Sequence, residues 1–304
     1  MDASPAEIRR ETLAFAALDS EVRLAILDAL YERTVEPGPL ADDATYSTIK
    51  SAVGVDDSGR FSYHLDRLVD RFVVKTDDGY RLTEPGREVV RLRRRGVLMT
   101  DVHVDSHPVD AECYRCGERL ETSYENGLLI TRCPACPGLL THETAPDGAV
   151  SAITYPPSGV QGVSIETAFE RAHVRVERQI HTMAAGFCAE CGHDVVPTLL
   201  PVTSSEEADG GDGRYTHDGL VTLSCTHCGQ RRVTHALHAA AEREPIASFW
   251  RDNGIDTGWD RFSEVMSWDV TRHADRIAVD SPNGTRWTVD ETLDVNRVSS
   301  DDDR

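Results

Sequence analysis

The spacing of apolar residues changes period within positions 46–90, and each period predicts a different element. Residues 46–54 place Tyr46, Ile49 and Val53 on one side of a short helix that ends near Gly54. After a short turn, apolar residues recur at intervals of three and four and predict a second helix over 57–69, with Ser58 as its expected N-cap. The apolar positions of this second stretch are Phe61, Leu65, Leu68, Val69 and Phe72.

The next residues favour a β-hairpin. The β-prone runs 73–76 and 80–83 flank Asp77-Asp78-Gly79, whose composition supplies the positive φ that a tight turn needs. Further helices are predicted from the capping box that starts at Ser4, from Asp19 or Ser20 onward, and over 84–95.

The polar face of the second helix is basic and aromatic. From Arg60 to Arg95 there are ten basic and six acidic residues, in a chain whose net charge is −20. Such a face is often only the solvated side of an amphipathic helix, but Arg and Tyr side chains before a basic hairpin also suit DNA contacts. The candidate DNA-binding residues are Arg60, Ser62, Tyr63, His64, Arg67, Lys75 and Arg81.

Four segments in order resemble the winged helix-turn-helix regulators of the ArsR type, over residues 5–97. They are LDSEVRLAILDAL (18–30), YSTIKSAVG (46–54), SGRFSYHLDRLVDRFVV (58–74) and DGYRLTEPGREVV (78–90). The resemblance implies a DNA-binding domain over 1–97 in which Arg60 to Arg67 enter the major groove and the hairpin tip flanks the backbone. It also implies a homodimer on double-stranded DNA, formed through the first and last helices.

Eight cysteines follow a predicted linker over 98–111. Cys113 and Cys116 precede Cys133 and Cys136 by sixteen residues, a spacing typical of a zinc ribbon, here over 112–150. Cys188 and Cys191 precede Cys225 and Cys228 by 33 residues, which include a Gly-, Asp- and Glu-rich stretch over 204–219 that we expect to be an exposed insertion. We predict two structural Zn²⁺ sites of four thiolates each rather than disulfide or redox chemistry, and the pairing of the four motifs stays open.

The remaining residues predict a small mixed module over 151–298. Residues 164–185 have the period of one long helix, on which we expect His173 and His181 at the surface, and His227, His235 and His238 are not expected to be ligands. Helices over 245–253 and 258–268 precede a hairpin over 276–280 and 285–289 and a strand over 293–298. The four tryptophans could line a ligand pocket, but we favour a core role; residues 299–304 are expected to be a disordered acidic tail. The predicted class is therefore α+β.

Composition limits the class of protein without excluding DNA. Acidic residues outnumber basic ones 52 to 32, and only Lys50 and Lys75 are lysine, which resembles proteins of salt-in halophiles. No apolar window is long enough for a membrane span and the N-terminus lacks a signal peptide, so we expect a cytoplasmic protein with no membrane partner.

Three functions from different classes are compatible with these patterns. The first is a sequence-specific transcriptional regulator without enzymatic activity, whose C-terminal module could bind a protein partner or a small ligand. The second is a basal factor, since a winged helix followed by a zinc ribbon is similar to the archaeal relative of the transcription factor IIE alpha subunit. The third is a zinc-dependent nucleobase deaminase, in which Glu190 beside Cys188 and Cys225 to Cys228 would shuttle protons.

Overall fold

The chain folds into two compact units, Met1–Met99 and Thr100–Arg304. The computed structural model describes residues 4–35, 43–99, 101–139, 147–200, 217–273 and 275–298. Each unit has its own hydrophobic core, and helices and strands occur in both, which confirms the mixed α+β class. The acidic tail expected over 299–304 and most of the insertion expected over 204–219 lie outside the described residues.

The first unit is mainly helical, and its described part contains one β-hairpin. The Ser4 side chain accepts from the Glu7 N–H while the Glu7 carboxylate accepts from the Ser4 N–H, so the predicted capping box is confirmed. The elements are α1 (Pro5–Ala16), α2 (Glu21–Val35), α3 (Tyr46–Val53), α4 (Ser58–Asp66), β1 (Val73–Lys75), β2 (Tyr80–Leu82) and α5 (Glu84–Arg94).

Helices α3 and α4 are joined by a short turn, as predicted, but α4 differs from the prediction at both ends. Asp57 is its N-cap rather than Ser58, because the Asp57 carboxylate accepts from the Arg60 N–H at 2.6 Å. The helix ends at Asp66 rather than Val69, and Asp70 adopts a φ of 67° just beyond it. Leu68 lies in the turn after α4 and is fully buried. The apolar spacing therefore continues past the end of the helix that it predicted.

The hairpin is joined to the segment before α3. Ala44 and Tyr80 exchange two backbone hydrogen bonds of 2.8 and 2.9 Å, beside the turn residue Gly79. Gly79 has a φ of 146°, and a Cβ there would lie 2.4 Å from the Ala44 carbonyl oxygen. Only glycine therefore fits this turn.

The described part of the second unit contains three antiparallel sheets, and its longest helix is α6 (Ile165–Ala184), which confirms the helix predicted over 164–185. The first sheet has the order β3-β4-β5-β6, with β3 (Val104–Glu112), β4 (Arg119–Glu125), β5 (Leu128–Arg132) and β6 (Ala149–Thr154). The second has the order β7-β8-β9, with β7 (Val195–Leu199), β8 (Leu220–Cys225) and β9 (Arg231–His235).

The third sheet confirms the hairpin and the following strand predicted near the C-terminus. Its order is β10-β11-β12-β13, with β10 (Asp269–Arg272), β11 (Arg276–Asp280), β12 (Arg286–Asp290) and β13 (Val295–Val298). Three short helices precede it, α7 (Ala236–Ala239), α8 (Ile246–Asn253) and α9 (Trp259–Met266). All four tryptophans are buried, so the core role favoured for them is confirmed.

The predicted linker over 98–111 differs from the structure, because strand β3 occupies most of it. This strand contains Pro108 and few apolar residues, so its own sequence gives a weak strand signal. It lies at the edge of its sheet, where a proline is tolerated because only one side of the strand pairs with a neighbour. Pairing with β4 and burial of Val109 hold the strand in place. Tertiary pairing rather than local periodicity therefore forms β3.

Glu177 on α6 is the centre of a buried polar network in the second unit. Only 1% of this residue is exposed, and its carboxylate accepts hydrogen bonds from the Gly258 N–H and from Arg261 Nη1, the latter at 2.8 Å. Burial raises the pKa of the Glu177 carboxyl, but His238, Arg261 and the Gly258 N–H together hold that pKa below its usual value. The carboxylate is therefore charged and joins α6 to the start of α9.

His173 lies one turn before Glu177 on α6, and its predicted surface position is wrong. It is 4% exposed, with Nδ1 at 2.9 Å from the Phe169 carbonyl oxygen and Nε2 at 3.3 Å from Ser151 Oγ. Burial lowers the pKa of His173 to about 4, so the ring is neutral near pH 7.

None of the helices in the described part of the chain combines the length and the hydropathy that a membrane span requires.

Replacing Arg261 by leucine should destabilise the second unit strongly. The change leaves the Glu177 carboxylate buried without its cation, which typically costs about 3–5 kcal/mol. Arg251→Leu is the matched control, because its ion pair with Glu244 at 2.8 Å is exposed. Urea denaturation of the full chain, followed by tryptophan fluorescence, should show a lower midpoint for Arg261→Leu and a nearly unchanged one for Arg251→Leu. Equal midpoints for the two variants would contradict this role of Arg261.

Candidate functional site

The first four cysteines meet at one end of the first sheet. Cys113 and Cys116 lie in the turn between β3 and β4, and Cys133 and Cys136 follow β5. The Sγ atoms of Cys113 and Cys136 are 3.7 Å apart, and those of Cys116 and Cys133 are 3.5 Å apart. The antiparallel pairing of β4 with β5 brings the two motifs together.

The other four cysteines meet beside the second sheet. Cys188 and Cys191 lie between α6 and β7, Cys225 ends β8, and Cys228 lies in the turn between β8 and β9. Their Sγ separations are 3.7 Å for Cys188–Cys228 and 3.5 Å for Cys191–Cys225. The sequence left open how the four Cys-x-x-Cys motifs pair. In the structure the motif at 113–116 pairs with that at 133–136, and the motif at 188–191 pairs with that at 225–228.

Both clusters have the geometry of a four-thiolate metal site. Within each cluster the four Sγ atoms lie within 4.8 Å of one another, and all eight cysteines are free thiols. A tetrahedral ion with metal–sulfur bonds of about 2.3 Å has sulfur–sulfur edges of about 3.8 Å, close to the observed separations. A disulfide would need sulfur atoms about 2.0 Å apart. Each cluster is therefore positioned to hold one metal ion with no open coordination position.

Backbone amides in the knuckles point at the sulfur atoms. The N–H groups of Ala135, Glu190 and His227 each donate to the Sγ of the cysteine two positions earlier, at 3.4 Å. In the second cluster the N–H of Cys228 has the largest effect in lowering the pKa of the Cys225 thiol, which falls to about 6. The N–H of Gln230 lowers the pKa of the neighbouring Cys228 thiol, but the adjacent thiols and burial outweigh this effect and raise that pKa overall. Such donors favour the thiolate, the form that binds metal. Among the described residues, no histidine belongs to either cluster.

The candidate DNA-binding residues of the first unit fall into two groups. The first group is exposed: Arg60 and Tyr63 on α4, Arg67 at its C-cap, and Lys75 and Arg81 on the hairpin. The Arg67 guanidinium carbon lies 5.3 Å from the centre of the Tyr63 ring, which places a cation and an aromatic ring side by side on α4.

Ser62 and His64 are half-buried and contact neighbouring helices. Ser62 Oγ lies 2.8 Å from the Tyr46 hydroxyl, and His64 Nδ1 lies 3.4 Å from Ser20 Oγ. Burial, and then the charges of Arg23 and Arg60, lower the pKa of His64. These two side chains hold α4 against α3 and the start of α2.

Sequence reasoning missed Lys50, whose Nζ donates to Ser58 Oγ at 2.8 Å and adds a cation at the start of α4.

The arginines at the end of α5 are neutralised by carboxylates. Arg93 pairs with Asp28 at 2.7 Å, Arg94 pairs with Glu32, and Arg91 pairs with two glutamates of its own helix. Within the part of the first unit that the structure describes, none of the four exposed cations on α4 and the hairpin forms an ion pair. Arg60, Arg67, Lys75 and Arg81 are therefore exposed cations without an ion-pair partner among the described residues, as is Arg95 just after α5. Four carboxylates are exposed in the same segment, namely Asp66, Asp70, Asp77 and Asp78.

Each cluster should bind one metal ion independently of the other. The purified chain should contain two equivalents of divalent metal, and Cys116→Ser or Cys191→Ser should each reduce this to about one, because three thiolates hold an ion much more weakly than four. Elemental analysis by plasma mass spectrometry checks the count, and the two single variants are each other's controls. Two full equivalents in both variants would contradict the cluster assignment.

Two family models match this chain, and both are described as domains of unknown function. Residues 11–92 match a family model described as a domain of unknown function, DUF7347. Neither the curated proteins nor the solved structures gave a match. Residues 110–303 match the model described as a domain of unknown function, DUF7351, and cover more than half of the chain. The chain therefore belongs to the DUF7351 family.

Proposed function

We propose that this chain is a sequence-specific transcriptional regulator of ArsR type that binds double-stranded DNA through a winged helix-turn-helix in its first unit. The observation that carries the proposal is that the four exposed cations of α4, its C-cap and the hairpin form no ion pair among the described residues of an acidic chain, so their donors are available to a polyanion. A net charge of −20 opposes non-specific binding to DNA, so a local basic surface is the feature that requires explanation.

Helix α4 is the proposed recognition helix. Phe61 and Leu65 bury one side of it in the core, so the opposite side, with Arg60, Tyr63 and Arg67, faces solvent. An α-helix fits the major groove of B-DNA, where arginine can donate two hydrogen bonds to guanine. Lys75 and Arg81 on the hairpin would then contact phosphates beside the site.

We propose zinc as the metal of both clusters, because four thiolates in a closed tetrahedron are its usual structural ligand set. Zinc bound there would be structural, cross-linking β-turns in the second unit that are far apart in sequence. The two Cys-x-x-Cys motifs of each cluster would then form one zinc ribbon.

We further propose that two chains associate through α1 and the end of α5. Helix α1 buries none of its residues, and Ile8 and Phe15, seven positions apart on one side, are 52% and 74% exposed. Leu92 and Leu98, in and just after α5, are 37% and 71% exposed. Exposed apolar side chains of this size are typical of a subunit interface, and a dimer would read two half-sites.

The two alternative functions have less support. A relative of the transcription factor IIE alpha subunit would have one zinc ribbon, whereas two thiolate clusters are present. In a nucleobase deaminase the metal needs a bound water, but Cys191 occupies the fourth position of its cluster. Glu190, the candidate proton shuttle, accepts a hydrogen bond from Gln179 at 3.1 Å on the surface.

The double variant Arg60→Ala with Arg67→Ala should lose specific DNA binding. With two base or phosphate contacts removed, affinity for a duplex selected by the wild-type protein should fall by about 100-fold or more. Fluorescence anisotropy at one fixed salt concentration measures this loss, and the mass of the wild-type complex should correspond to two chains per duplex.

The matched control is Arg251→Ala with Arg276→Ala, which makes the same change in charge at exposed positions of the second unit. This control should bind as the wild type does. Full affinity in the Arg60 and Arg67 variant, or an equal loss in both variants, would contradict recognition through α4.

A further inference from the structure

A cavity of about 450 Å³ lies inside the second unit, apart from both cysteine clusters. Its walls come from α6, from β6 of the first sheet and from β9 of the second sheet, with Phe262 of α9 at one side. This volume is in the range of pockets that hold small organic molecules. Strands β6 and β9 are edge strands of two different sheets, and both line the cavity. They do not pair with each other.

Most of the lining is apolar. Buried or half-buried aliphatic side chains from these three elements and from β8 contribute, namely Val150, Ile153, Val176, Ile180, Leu220 and Val233. Ala152, Thr154 and Arg231 are the solvent-exposed members of the lining, so the cavity is accessible along that side. A ligand would therefore bury an apolar body and enter past a cation.

Arg232 of β9 gives the cavity its charge on the side of α6, and the neighbouring Arg231 projects from the opposite face of the strand, where its Nη2 donates to Thr222 Oγ1 at 3.4 Å. The guanidinium of Arg232 is half-buried, and its Nη2 donates to Gln179 Oε1 at 2.8 Å. Burial lowers the pKa of Arg232, and the nearby charge of Glu190 opposes this shift. Within the described residues no carboxylate lies within 4.0 Å of Arg231 or Arg232. An arginine without a paired anion beside an apolar cavity matches a carboxylate.

A second polar position lies at His238. This residue is 2% exposed, and its Nδ1 lies 2.7 Å from Thr234 Oγ1. Its Nε2 has no hydrogen-bond partner among the described residues and is 3.6 Å from the Glu177 carboxylate. This nitrogen faces the Glu177 carboxylate, so His238 joins the cavity wall to the buried polar network around Glu177.

We propose that this cavity binds a small apolar organic carboxylate, whose acid group pairs with Arg232 and whose body lies against Val176 and Ile180. The site does not depend on the DNA-binding proposal, and it is distinct from both metal clusters. If the first unit binds DNA, the carboxylate is a candidate effector of that binding.

Isothermal titration calorimetry of the full, metal-loaded chain tests the site with octanoate, 1-octanol and octyl phosphate in one buffer. Octanoate should bind, and 1-octanol should bind at least about tenfold more weakly because it lacks the charge. Equal binding of octanoate and 1-octanol, or no binding of octanoate at millimolar concentration, would overturn the proposal. Tighter binding of octyl phosphate than of octanoate would overturn the choice of a carboxylate.

Three variants locate the site. Arg232→Gln should weaken octanoate binding about tenfold or more, whereas Arg251→Gln, at an exposed arginine, should leave it unchanged. Val176→Phe keeps every charge but fills the cavity, so it should abolish binding. Circular dichroism and metal content confirm that each variant is folded. Wild-type affinity in both folded Arg232→Gln and folded Val176→Phe would overturn the location.

Discussion

The buried carboxylate of Glu177 is the interaction on which the second unit depends most. Helix α6 contacts strands of two sheets and the helices α7 and α9, so its position determines how these elements pack. Glu177 fixes that position, because it accepts hydrogen bonds from Gly258 and Arg261, residues more than eighty positions later in the chain. A buried charge is tolerated only where it is paired in this way. The thiolate clusters have a similar effect at two other places, each joining turns that the chain separates.

The same principle of charge compensation distinguishes the surfaces of the first unit. On α5, arginines are paired with carboxylates of α2 and of α5 itself, so they hold helices together. On α4 and the hairpin the cations have no such partners among the described residues. Helix packing supports α4 from below through Phe61 and Leu65 and leaves its basic side exposed. This division of cations into paired and unpaired groups is the physical basis of the DNA-binding proposal.

Local sequence rules predicted the elements whose signals are local. The capping box at Ser4, the helix 164–185 and the C-terminal hairpin depend on residues that are neighbours in the chain, and the structure confirms them. The cysteine spacing indicated the metal ligands for the same reason. Strand β3 was missed because its stability comes from pairing with β4 and not from its own apolar pattern.

The buried polar network and the cavity could not be predicted, because they form between residues that are distant in sequence. His173, Glu177 and His181 do recur every fourth residue beside the apolar stripe of α6, and this was the only local signal of the network. Their partners Arg261 and His238 lie on α9 and α7, and only the folded chain brings them together. The cavity likewise requires two sheet edges to meet, a relation that no periodicity encodes.

A genome-wide occupancy map, made in the native cells, tests most directly whether this chain is a sequence-specific regulator. The account predicts discrete sites that share an inverted repeat, with half-sites about one helical turn apart. Occupancy that instead follows RNA polymerase across promoters without a common sequence, or no discrete sites at all, would contradict it.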